Sequence, residues 1–301
     1  MNAPAGHRCG TVVLAGRPNV GKSTLLNALV GQKLSIVTPK AQTTRQRIAG
    51  VVTRPEYQLI LHDTPGFGAA AGRRLNQAMH REAVAAIATA DVAVLITAAT
   101  RWTAEDDAVL KQLVAAGRPI VAAVNKVDRV RPKERLLPVL DALSRRHSFA
   151  AIVPVSALRG QNLTRLVDAI VALLPEAPPL YPEDQVTDRN ERFMAAEVLR
   201  EKLMLALHDE LPYGIAVEIE RFEETPDGRV EIDAVIWVER EGQRKIVIGT
   251  KGEGLKAIGR AARLELNNLL GRRVHLATWV KLREGWTDDA GMLRRLGHDA
   301  P

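Results

Sequence analysis

Short apolar runs alternate with stretches of helical periodicity through the first half of the chain. The runs predicted as strands are Thr11–Ala15, Gln58–His62, Val92–Thr97, Ile120–Asn125 and Ile152–Val155. The stretches predicted as helices lie near Lys22–Val30, Arg74–Ala88, Glu105–Ala116, Lys133–Arg146 and Leu163–Leu174. Strands that alternate with helices are typical of βαβ units. The pattern therefore predicts an α/β domain whose mixed, mostly parallel sheet carries helices on both faces.

A proline-rich stretch separates this region from the rest of the chain. Pro175, Pro178, Pro179 and Pro182 are close neighbours, and such a stretch favours an extended spacer because proline cannot continue a helix. We therefore predict domains at residues 8–176 and 191–301, joined by a linker over 177–190.

The pattern changes after the linker. The predicted elements are a helix over Phe193–His208, strands over Ala216–Ile219 and Val230–Val238, a glycine-rich loop over Gly249–Gly254, a helix through about Leu270 and a strand over Val274–Leu282. From its residues alone, Lys245–Ile248 also resembles a strand. The Pro226-Asp227-Gly228 segment is typical of a hairpin turn. This order predicts a second, smaller α+β domain.

Composition limits the class of protein. The 301 residues are 46% hydrophobic and 26% charged, which excludes a largely disordered or fibrous chain. Cys9 is the single cysteine, which excludes an intrachain disulfide and a cysteine-built zinc site and is typical of a reducing compartment. No uncharged stretch has the length of a membrane span. We therefore expect a soluble, cytoplasmic protein.

The net charge of +7 is unevenly distributed. Counted along the sequence, residues 1–180 carry a net +11, residues 181–244 a net −9 and residues 245–301 a net +5. A basic region favours a polyanionic partner. The basic surface is also the only support in the sequence for peripheral association with the inner membrane.

The first motif with chemical meaning is GRPNVGKS, over Gly16–Ser23, which fits G-x-x-x-x-G-K-[ST] between a predicted strand and a predicted helix. Backbone N–H groups of such a loop, together with the helix N-terminus, bind phosphate oxygens. Lys22 is expected to neutralise β- and γ-phosphate oxygens, and the Ser23 hydroxyl to ligate Mg²⁺.

Two further motifs follow predicted strands. Asp63-Thr64-Pro65-Gly66 places a carboxylate that can hold Mg²⁺ through water, and the Gly66 amide can sense the γ-phosphate. Asn125-Lys126-Val127-Asp128 points to guanine, because one carboxylate can accept both N1–H and the N2 amine, and adenine offers neither. Asn125 would tie the loops together and Lys126 would cover the base. The backbone amides of Ser156-Ala157 would meet guanine O6.

The segments around these motifs resemble the Era family of bacterial ribosome-assembly GTPases. They include GRPNVGKSTLLNAL, KAQTTRQRIAG, TRWTAED, NKVD, YPED, TDRNERFMAAEVLREKL, VEREGQRKIVIGTKG and GWTDD, in this order between about residue 8 and residue 297. The resemblance implies a Ras-like GTPase domain followed by a type II KH domain. It also implies a monomer that hydrolyses GTP to GDP, binds the 3′ end of 16S rRNA and assists assembly of the 30S ribosomal subunit.

The resemblance implies roles for single residues as well. Thr44 is the predicted switch threonine that ligates Mg²⁺, with Thr43 as the alternative. Phe67 replaces the glutamine that orients the attacking water in Ras-type enzymes, so we expect slow intrinsic hydrolysis. Asn19 lies where related GTPases hold K⁺, which is the predicted activator.

The predicted catalytic residues are Lys22, Asn19, Thr44, Asp63 and Gly66, and the predicted metal ligands are Ser23, Thr44 and Asp63. The predicted nucleotide-binding residues are Gly16, Arg17, Pro18, Asn19, Val20, Gly21, Lys22, Ser23, Thr24, Asp63, Thr64, Pro65, Gly66, Phe67, Asn125, Lys126, Val127, Asp128, Ser156, Ala157 and Leu158.

The last motif is the G-x-x-G loop Gly249-Thr250-Lys251-Gly252. KH domains clamp about four nucleotides with this loop, because glycine permits close approach of the RNA backbone. The predicted RNA-binding residues are Gly249, Thr250, Lys251, Gly252, Lys256, Lys281, Arg283 and Trp286. Alternation along the last strand predicts that either Trp279 or Trp286 belongs to the core. The resemblance further implies a short helix that starts over Val247–Gly249.

Two other classes of protein are disfavoured. An ATP-dependent kinase or ATPase could use the same phosphate loop, but the guanine motif at Asn125–Asp128 argues against it. A pure RNA-binding module with a degenerate GTPase would not need Lys22, Ser23 and Asp63, all of which are present.

Overall fold

The chain forms two compact units in the computed structural model, which describes residues 6–66, 73–207 and 214–298. The first unit comprises residues 1–70 and 79–188, and the second comprises residues 71–78 and 189–301. Within the described residues, no helix combines the length and the apolar character that crossing a membrane requires.

The first unit is built on a six-stranded sheet with the strand order β2-β3-β1-β4-β5-β6. The strands are β1 (Arg8–Ala15), β2 (Ile48–Arg54), β3 (Tyr57–Asp63), β4 (Val92–Ala98), β5 (Ile120–Asn125) and β6 (Ala151–Pro154). All neighbouring strands are parallel except β2, which pairs antiparallel with β3. The predicted mixed, mostly parallel sheet is confirmed.

Helices follow these strands in the alternation that the sequence predicts. They are α1 (Lys22–Val30), α2 (Arg74–Thr89), α3 (Ala104–Ala115), α4 (Leu136–Ser144) and α5 (Leu163–Val171). Helix α3, for example, buries Val109 and Leu113 in a core cluster with Leu95 of β4. Because β1, β3, β5 and β6 run in one direction, the loops after them meet at the same sheet edge, where ligands bind in such folds.

Strand β2 was missed by the sequence analysis, and its outer edge is covered by residues 186–188 of the predicted linker. The Val51 amide donates to the Val186 carbonyl at 2.9 Å, and the Thr187 hydroxyl donates to the Ala49 carbonyl at 2.7 Å. The Ala49 amide donates to the Asp188 carboxylate at 3.2 Å. An edge strand covered in this way is protected from pairing with another chain. Residues 186–188 therefore belong structurally to the first unit.

Gln58 of β3 binds the proline-rich segment, which precedes these residues in the chain. Its side chain is fully buried, and its Oε1 accepts from the Leu180 and Tyr181 amides at 2.7 and 2.9 Å. Its Nε2 donates to the Tyr181 carbonyl at 2.9 Å. Since a buried amide would be costly without these partners, Gln58 holds the proline-rich segment against the sheet.

The second unit has a three-stranded sheet, in the order β7-β8-β9, covered by helices. Its elements are α6 (Glu191–Ala206), β7 (Ile215–Glu224), β8 (Val230–Val238), α7 (Glu241–Ile248), α8 (Glu253–Leu270), β9 (Val274–Leu282) and α9 (Ala290–Arg295). Strands β7 and β8 are antiparallel, whereas β8 and β9 are parallel. Leu199, Val247 and Leu266 from three of the helices share one core cluster with Ile236 of β8.

The interpretation of Lys245–Ile248 as a strand is wrong, because these residues form the last part of α7. The Gln243 side chain accepts from the amides of Glu239 and Arg240 at 2.8 and 3.0 Å, which satisfies donors at the start of the helix. Helical geometry then buries Val247 completely. The helix therefore ends where the short helix implied by the resemblance was expected to start.

Candidate functional site

A cleft of about 460 Å³ lies at the sheet edge where the loops after the parallel strands meet. Its lining includes residues from the phosphate loop, the loop before β2, and the loops after β3, β5 and β6. Of the predicted nucleotide-site residues, it is lined by Pro18, Asn19, Gly21, Lys22, Ser23, Thr24, Thr44, Gly66, Asn125, Lys126, Asp128, Ala157 and Leu158. The structure thus brings together motifs that are more than a hundred residues apart.

The phosphate loop has a backbone conformation that requires glycine at its end. Gly21 has φ of 101°, and a Cβ atom there would lie 2.4 Å from Asn125 Nδ2. Lys22 follows at the start of α1, and its Nζ donates to the carbonyls of Gly16 and Arg17 at 3.0 and 3.2 Å. Burial lowers the pKa of Lys22 to about 8, although the charge of Asp63 opposes this shift. The lysine is therefore held by carbonyls beside the cleft.

Asp63, at the end of β3, accepts hydrogen bonds from several hydroxyl groups. Its Oδ2 accepts from Ser23 at 2.7 Å, from Ser35 at 2.8 Å and from Thr44 at 3.1 Å. Burial raises the pKa of Asp63 above its usual value, while Lys22 and the three hydroxyls act in the opposite direction. Among the described residues, Asp63 Oδ1 is buried and finds no hydrogen-bond partner.

This cluster fits the predicted Mg²⁺. Magnesium prefers oxygen ligands in a compact arrangement, usually with one or two carboxylates. Ser23, Thr44 and Asp63 provide two hydroxyl oxygens and a carboxylate, and the Ser23 and Thr44 oxygens are only 2.9 Å apart. A buried carboxylate oxygen without a donor is costly unless a cation or water meets it. The donor set therefore has the chemistry of a magnesium site.

The geometry separates the two switch threonines. Thr44 lies within hydrogen-bond distance of both Ser23 and Asp63, whereas the Thr43 hydroxyl donates to the Lys40 carbonyl at 2.7 Å. Thr43 also lies 2.7 Å from the Thr38 hydroxyl. Thr44 is thus the threonine that belongs to the cluster around Asp63 and Ser23.

The other end of the cleft is organised by Asn125. Its Nδ2 donates to the Val20 carbonyl at 2.8 Å, and its Oδ1 accepts from the amides of Lys126 and Ala157 at 2.8 and 3.0 Å. Asn125 thus ties the phosphate loop to the loops after β5 and β6. Lys126 extends this connection, because its ammonium group donates to the Asn19 carbonyl.

Asp128 presents a carboxylate at this end. Its Oδ1 accepts from the Ser156 hydroxyl at 2.6 Å, and this hydrogen bond is the main cause of its lowered pKa. Asp128 is therefore ionised at neutral pH, with acceptor capacity left for further donors.

The amides of Ser156 and Ala157, which are predicted to meet guanine O6, both have partners within the protein. The Ser156 amide donates to the Gln161 carbonyl at 3.2 Å, and the Ala157 amide donates to Asn125. Both amides serve to close the loop after β6. Ser156 also contributes through its hydroxyl, which donates to Asp128.

Several predicted residues support the cleft without lining it. They are Gly16, Arg17, Val20, Asp63, Thr64, Pro65, Val127 and Ser156. Phe67 lies outside the described residues. Ser35 and Arg129 were missed by the sequence analysis: Ser35 is fully buried and donates to Asp63, and Arg129 lines the cleft beside Asp128. Neither belongs to a motif with recognisable spacing, so only the fold reveals them.

The G-x-x-G loop of the second unit forms a tight turn between α7 and α8. Gly249 has φ of 70°, and a Cβ atom there would lie 2.9 Å from the Gly254 amide nitrogen. Lys251 also has a positive φ of 51°. Thr250, Lys251 and Lys256 are exposed, and no ion pair of the two lysines occurs within residues 6–66, 73–207 and 214–298. The loop thus offers cations and backbone beside the N-terminus of α8.

The predicted flank of this loop needs correction. Trp286 is wrong as an RNA-binding residue, because it is fully buried and donates from its indole to the Gly214 carbonyl at 3.0 Å. Trp279 is 46% exposed, so the prediction that one of the two tryptophans belongs to the core is confirmed. Lys281 pairs with Glu220 at 3.1 Å, and Arg283 pairs with Asp289 at 2.5 Å. These two cations are therefore already neutralised within the domain.

Comparison with protein families defines the class of both units. A family model described as "50S ribosome-binding GTPase" matches residues 11–126, and one described as "KH domain" matches residues 210–287. The protein is thus a P-loop GTPase that carries a KH domain.

Full-length relatives narrow this class to one family. The chain is 49% identical to GTPase Era of Stenotrophomonas maltophilia (strain K279a), covering 99% of this chain and 100% of the relative. It is 51% identical to GTPase Era of Xanthomonas axonopodis pv. citri (strain 306), covering 97% and 98%. The chain therefore belongs to the GTPase Era family, and it hydrolyses GTP.

Two solved structures extend the similarity to the whole fold. A variant of Aquifex aeolicus Era bound to GDP and AlF4− is 39% identical, with a TM-score of 0.94 and coverage of 97% of this chain and 100% of that one. A structure of Era in complex with MgGDPNP and nucleotides 1506–1542 of 16S ribosomal RNA is 40% identical, with the same TM-score and coverage of 98% and 100%.

Proposed function

We propose that this GTPase binds the 3′ end of 16S rRNA through its KH domain and assists maturation of the 30S subunit, with GTP hydrolysis as the switch. The observation that carries the proposal is the combination on one chain of an Asp63-centred cluster with a Gly249–Gly252 loop whose Thr250 and Lys251 are exposed. A full-length relative of the same fold holds both a magnesium nucleotide and that stretch of RNA.

Within the cleft, one set of residues binds the phosphates and another holds the metal. Phosphoryl transfer to water relies on charges that stabilise the oxygens around the β,γ-bridge. Lys22 is the only predicted catalytic cation, and its ammonium group, which donates to the carbonyls of Gly16 and Arg17, neutralises the phosphate oxygens as well. Ser23, Thr44 and Asp63 hold the metal, directly or through water. Bound Mg²⁺ supplies positive charge to the β- and γ-phosphates.

Guanine is selected at the other end of the cleft. Asp128 accepts from N1–H and the exocyclic amine, and Ser156 keeps the carboxylate oriented and ionised. Lys126 covers the base while it binds the Asn19 carbonyl. An adenine nucleotide would leave Asp128 without these donors, which is a strong penalty in a site built on hydrogen bonds.

Hydrolysis needs one further source of positive charge, for which we propose K⁺. Asn19 is exposed, lines the cleft and has a positive φ of 62°. A potassium ion held there supplies the charge that an arginine finger provides in other GTPases. Gly66 lies beside Lys22, and its amide senses the γ-phosphate.

In the second unit, we propose that Gly249, Thr250, Lys251, Gly252 and Lys256 clamp the RNA backbone. A single strand bound this way offers unstacked base edges that can be read for sequence. The test is binding of a single-stranded oligonucleotide that matches the 3′ end of 16S rRNA, with a scrambled strand of equal composition as the control. Preference for the matching strand is expected. Equal affinity for both strands would show that RNA binds to a basic surface without any readout of sequence.

Two predictions from the sequence stay predictions. One is that the chain is a monomer, and the other is that its basic surface brings it to the cytoplasmic face of the inner membrane. Sedimentation analysis tests the first. Flotation with vesicles containing anionic lipid tests the second, and recovery of the protein only from the soluble fraction would contradict it.

A further inference from the structure

We propose that Asp106, at the start of α3, is a positioning residue for GTP hydrolysis that acts on Lys22 through Arg17. None of the nucleotide motifs includes Asp106, and the residue does not line the cleft. Its side chain is nevertheless fully buried and bound to a residue of the phosphate loop.

The contact with the phosphate loop is an ion pair in a shielded position. Arg17 Nε donates to Asp106 Oδ2 at 3.0 Å, with 19% of the arginine side chain and none of the aspartate side chain exposed to solvent. Arg17 also approaches the Arg101 carbonyl at 3.4 Å. A buried carboxylate is retained only where its partners are well placed, because an unpaired charge there is strongly destabilising.

Helix α3 holds Asp106 in place. The amide and the hydroxyl of Thr103 both donate to Asp106 Oδ2 at 2.9 Å, which forms a capping box at the helix start. The same helix is anchored in the core by Val109 and Leu113, which are fully buried. Helix α3 therefore fixes the position of the Asp106 carboxylate that contacts the phosphate loop.

The connection to the chemistry runs through the backbone of Arg17. Its carbonyl accepts from Lys22 Nζ at 3.2 Å, so the position of the arginine main chain sets one of the two carbonyls that hold the lysine. The two contacts of Arg17 thus link Asp106 to the placement of Lys22 at the phosphates.

Asp106 has unused acceptor capacity as well. All three donors meet Oδ2, and within the described part of the chain Oδ1 is buried without a partner. An arginine fork can bind both oxygens of a carboxylate. A small movement of the phosphate loop can therefore strengthen the pair without breaking it.

The test compares Asp106→Asn with two matched variants in steady-state GTP hydrolysis. Asp106→Asn removes the charge, keeps an oxygen for Thr103, and is expected to lower kcat by about tenfold while KM changes by less than about threefold, because displacement of a catalytic group acts mainly on the transition state. Thr103→Ala weakens the helix cap but leaves the ion pair, so it should lower the melting temperature without lowering kcat. Asp107→Asn removes the neighbouring acid, which pairs with Arg146 on the surface, and should leave kcat unchanged.

A double-mutant cycle isolates the path through Arg17. Arg17→Gln leaves the capping box intact, so it keeps the proposal testable even if Asp106→Asn folds poorly. If Asp106 acts through Arg17, then Asp106→Asn has less than about a twofold effect on kcat in the Arg17→Gln background. Independent, multiplying effects would overturn the proposal, as would a kcat within about twofold of the parent for both single variants. An equal loss of kcat in Thr103→Ala would assign Asp106 to helix stability alone.

Discussion

The nucleotide cleft and the G-x-x-G loop both bind phosphate in our account, yet they are built in opposite ways. In the cleft, Asp63 and Asn125 are buried and each makes three hydrogen bonds that join separate loops. In the loop, Thr250 and Lys251 are exposed. Discrimination of one base demands buried, prearranged partners, whereas a clamp on an RNA backbone needs only accessible amides and charge.

The two sites should therefore respond differently to single substitutions. A change in the cleft leaves a buried partner unsatisfied, so its effect is large and specific. A change in the loop removes a solvated charge, so its effect is graded and depends on salt.

The largest effect is expected at the base-reading carboxylate. Asp128→Asn replaces a double acceptor with an amide that repels guanine N1–H and suits xanthine, so the ratio of GTP to XTP affinity should fall by about 10⁴. Competition binding with GTP and XTP measures this ratio. Saturating XTP should restore turnover, which serves as the control for folding. Unchanged GTP affinity would show that Asp128 does not read the base.

The next effect concerns the supply of positive charge at the β,γ-bridge. Turnover in KCl should exceed turnover in NaCl at matched ionic strength by on the order of 10³, because the ion replaces an arginine finger. Asn19→Ala is the matched variant, and it should lose most of this difference. Equal rates in the two salts would show that potassium does not activate hydrolysis.

A smaller effect follows from the burial of Lys22. Its pKa is about 8 in the free protein, and bound phosphates raise that pKa because they favour the ammonium form. Binding of GDP therefore takes up a proton above about pH 8, and affinity should fall by nearly tenfold over the next pH unit. Calorimetry in two buffers of different ionisation enthalpy measures both quantities. Lys22→Arg should bind independently of pH in this range, and a flat profile for the parent contradicts the assignment.

The smallest effect is expected at Ser35, which no motif identifies. Ser35→Ala removes one of three hydroxyl donors to Asp63, so the free energy of unfolding should fall by about 1 kcal/mol. Ser144→Ala is the control, since that hydroxyl donates to the Asp141 carbonyl on an exposed helix end. Urea denaturation measures both variants, and equal stability of Ser35→Ala and the parent would show that the hydroxyl has no energetic role.

The parts of the molecule that the sequence predicts well are those with local rules. Strand β5 and helix α1 have the bounds predicted from their periodicity. The cleft motifs are recognisable because phosphate and guanine impose residue types at fixed spacing. Thr44 could not be separated from Thr43 in this way, since the choice depends on which hydroxyl reaches Asp63 in three dimensions.

The predictions that were wrong and the residues that were missed share a physical reason, which is that tertiary contacts override local preference. Lys245–Ile248 has β-branched residues but completes α7, because Val247 fills the core. Trp286 stands among cations in sequence, yet its indole finds a buried carbonyl. Ser35 and Asp106 lie outside any motif and gain their meaning from partners 28 and 89 residues away.

In our proposal, one chain carries a nucleotide switch and a separate RNA clamp at Gly249–Gly252. The most direct measurement is RNA affinity of the double variant Thr250→Asp/Lys251→Asp for the matching strand, with GTP hydrolysis measured in parallel. Asn268→Asp/Arg294→Asp changes the net charge equally at exposed positions of the same unit and is the control.

We expect the loop variant to bind RNA at least about tenfold more weakly than the control, with a salt slope reduced by about one unit. Its rate of GTP hydrolysis should equal that of the parent. RNA binding equal to that of the parent would contradict the assignment of the clamp to this loop.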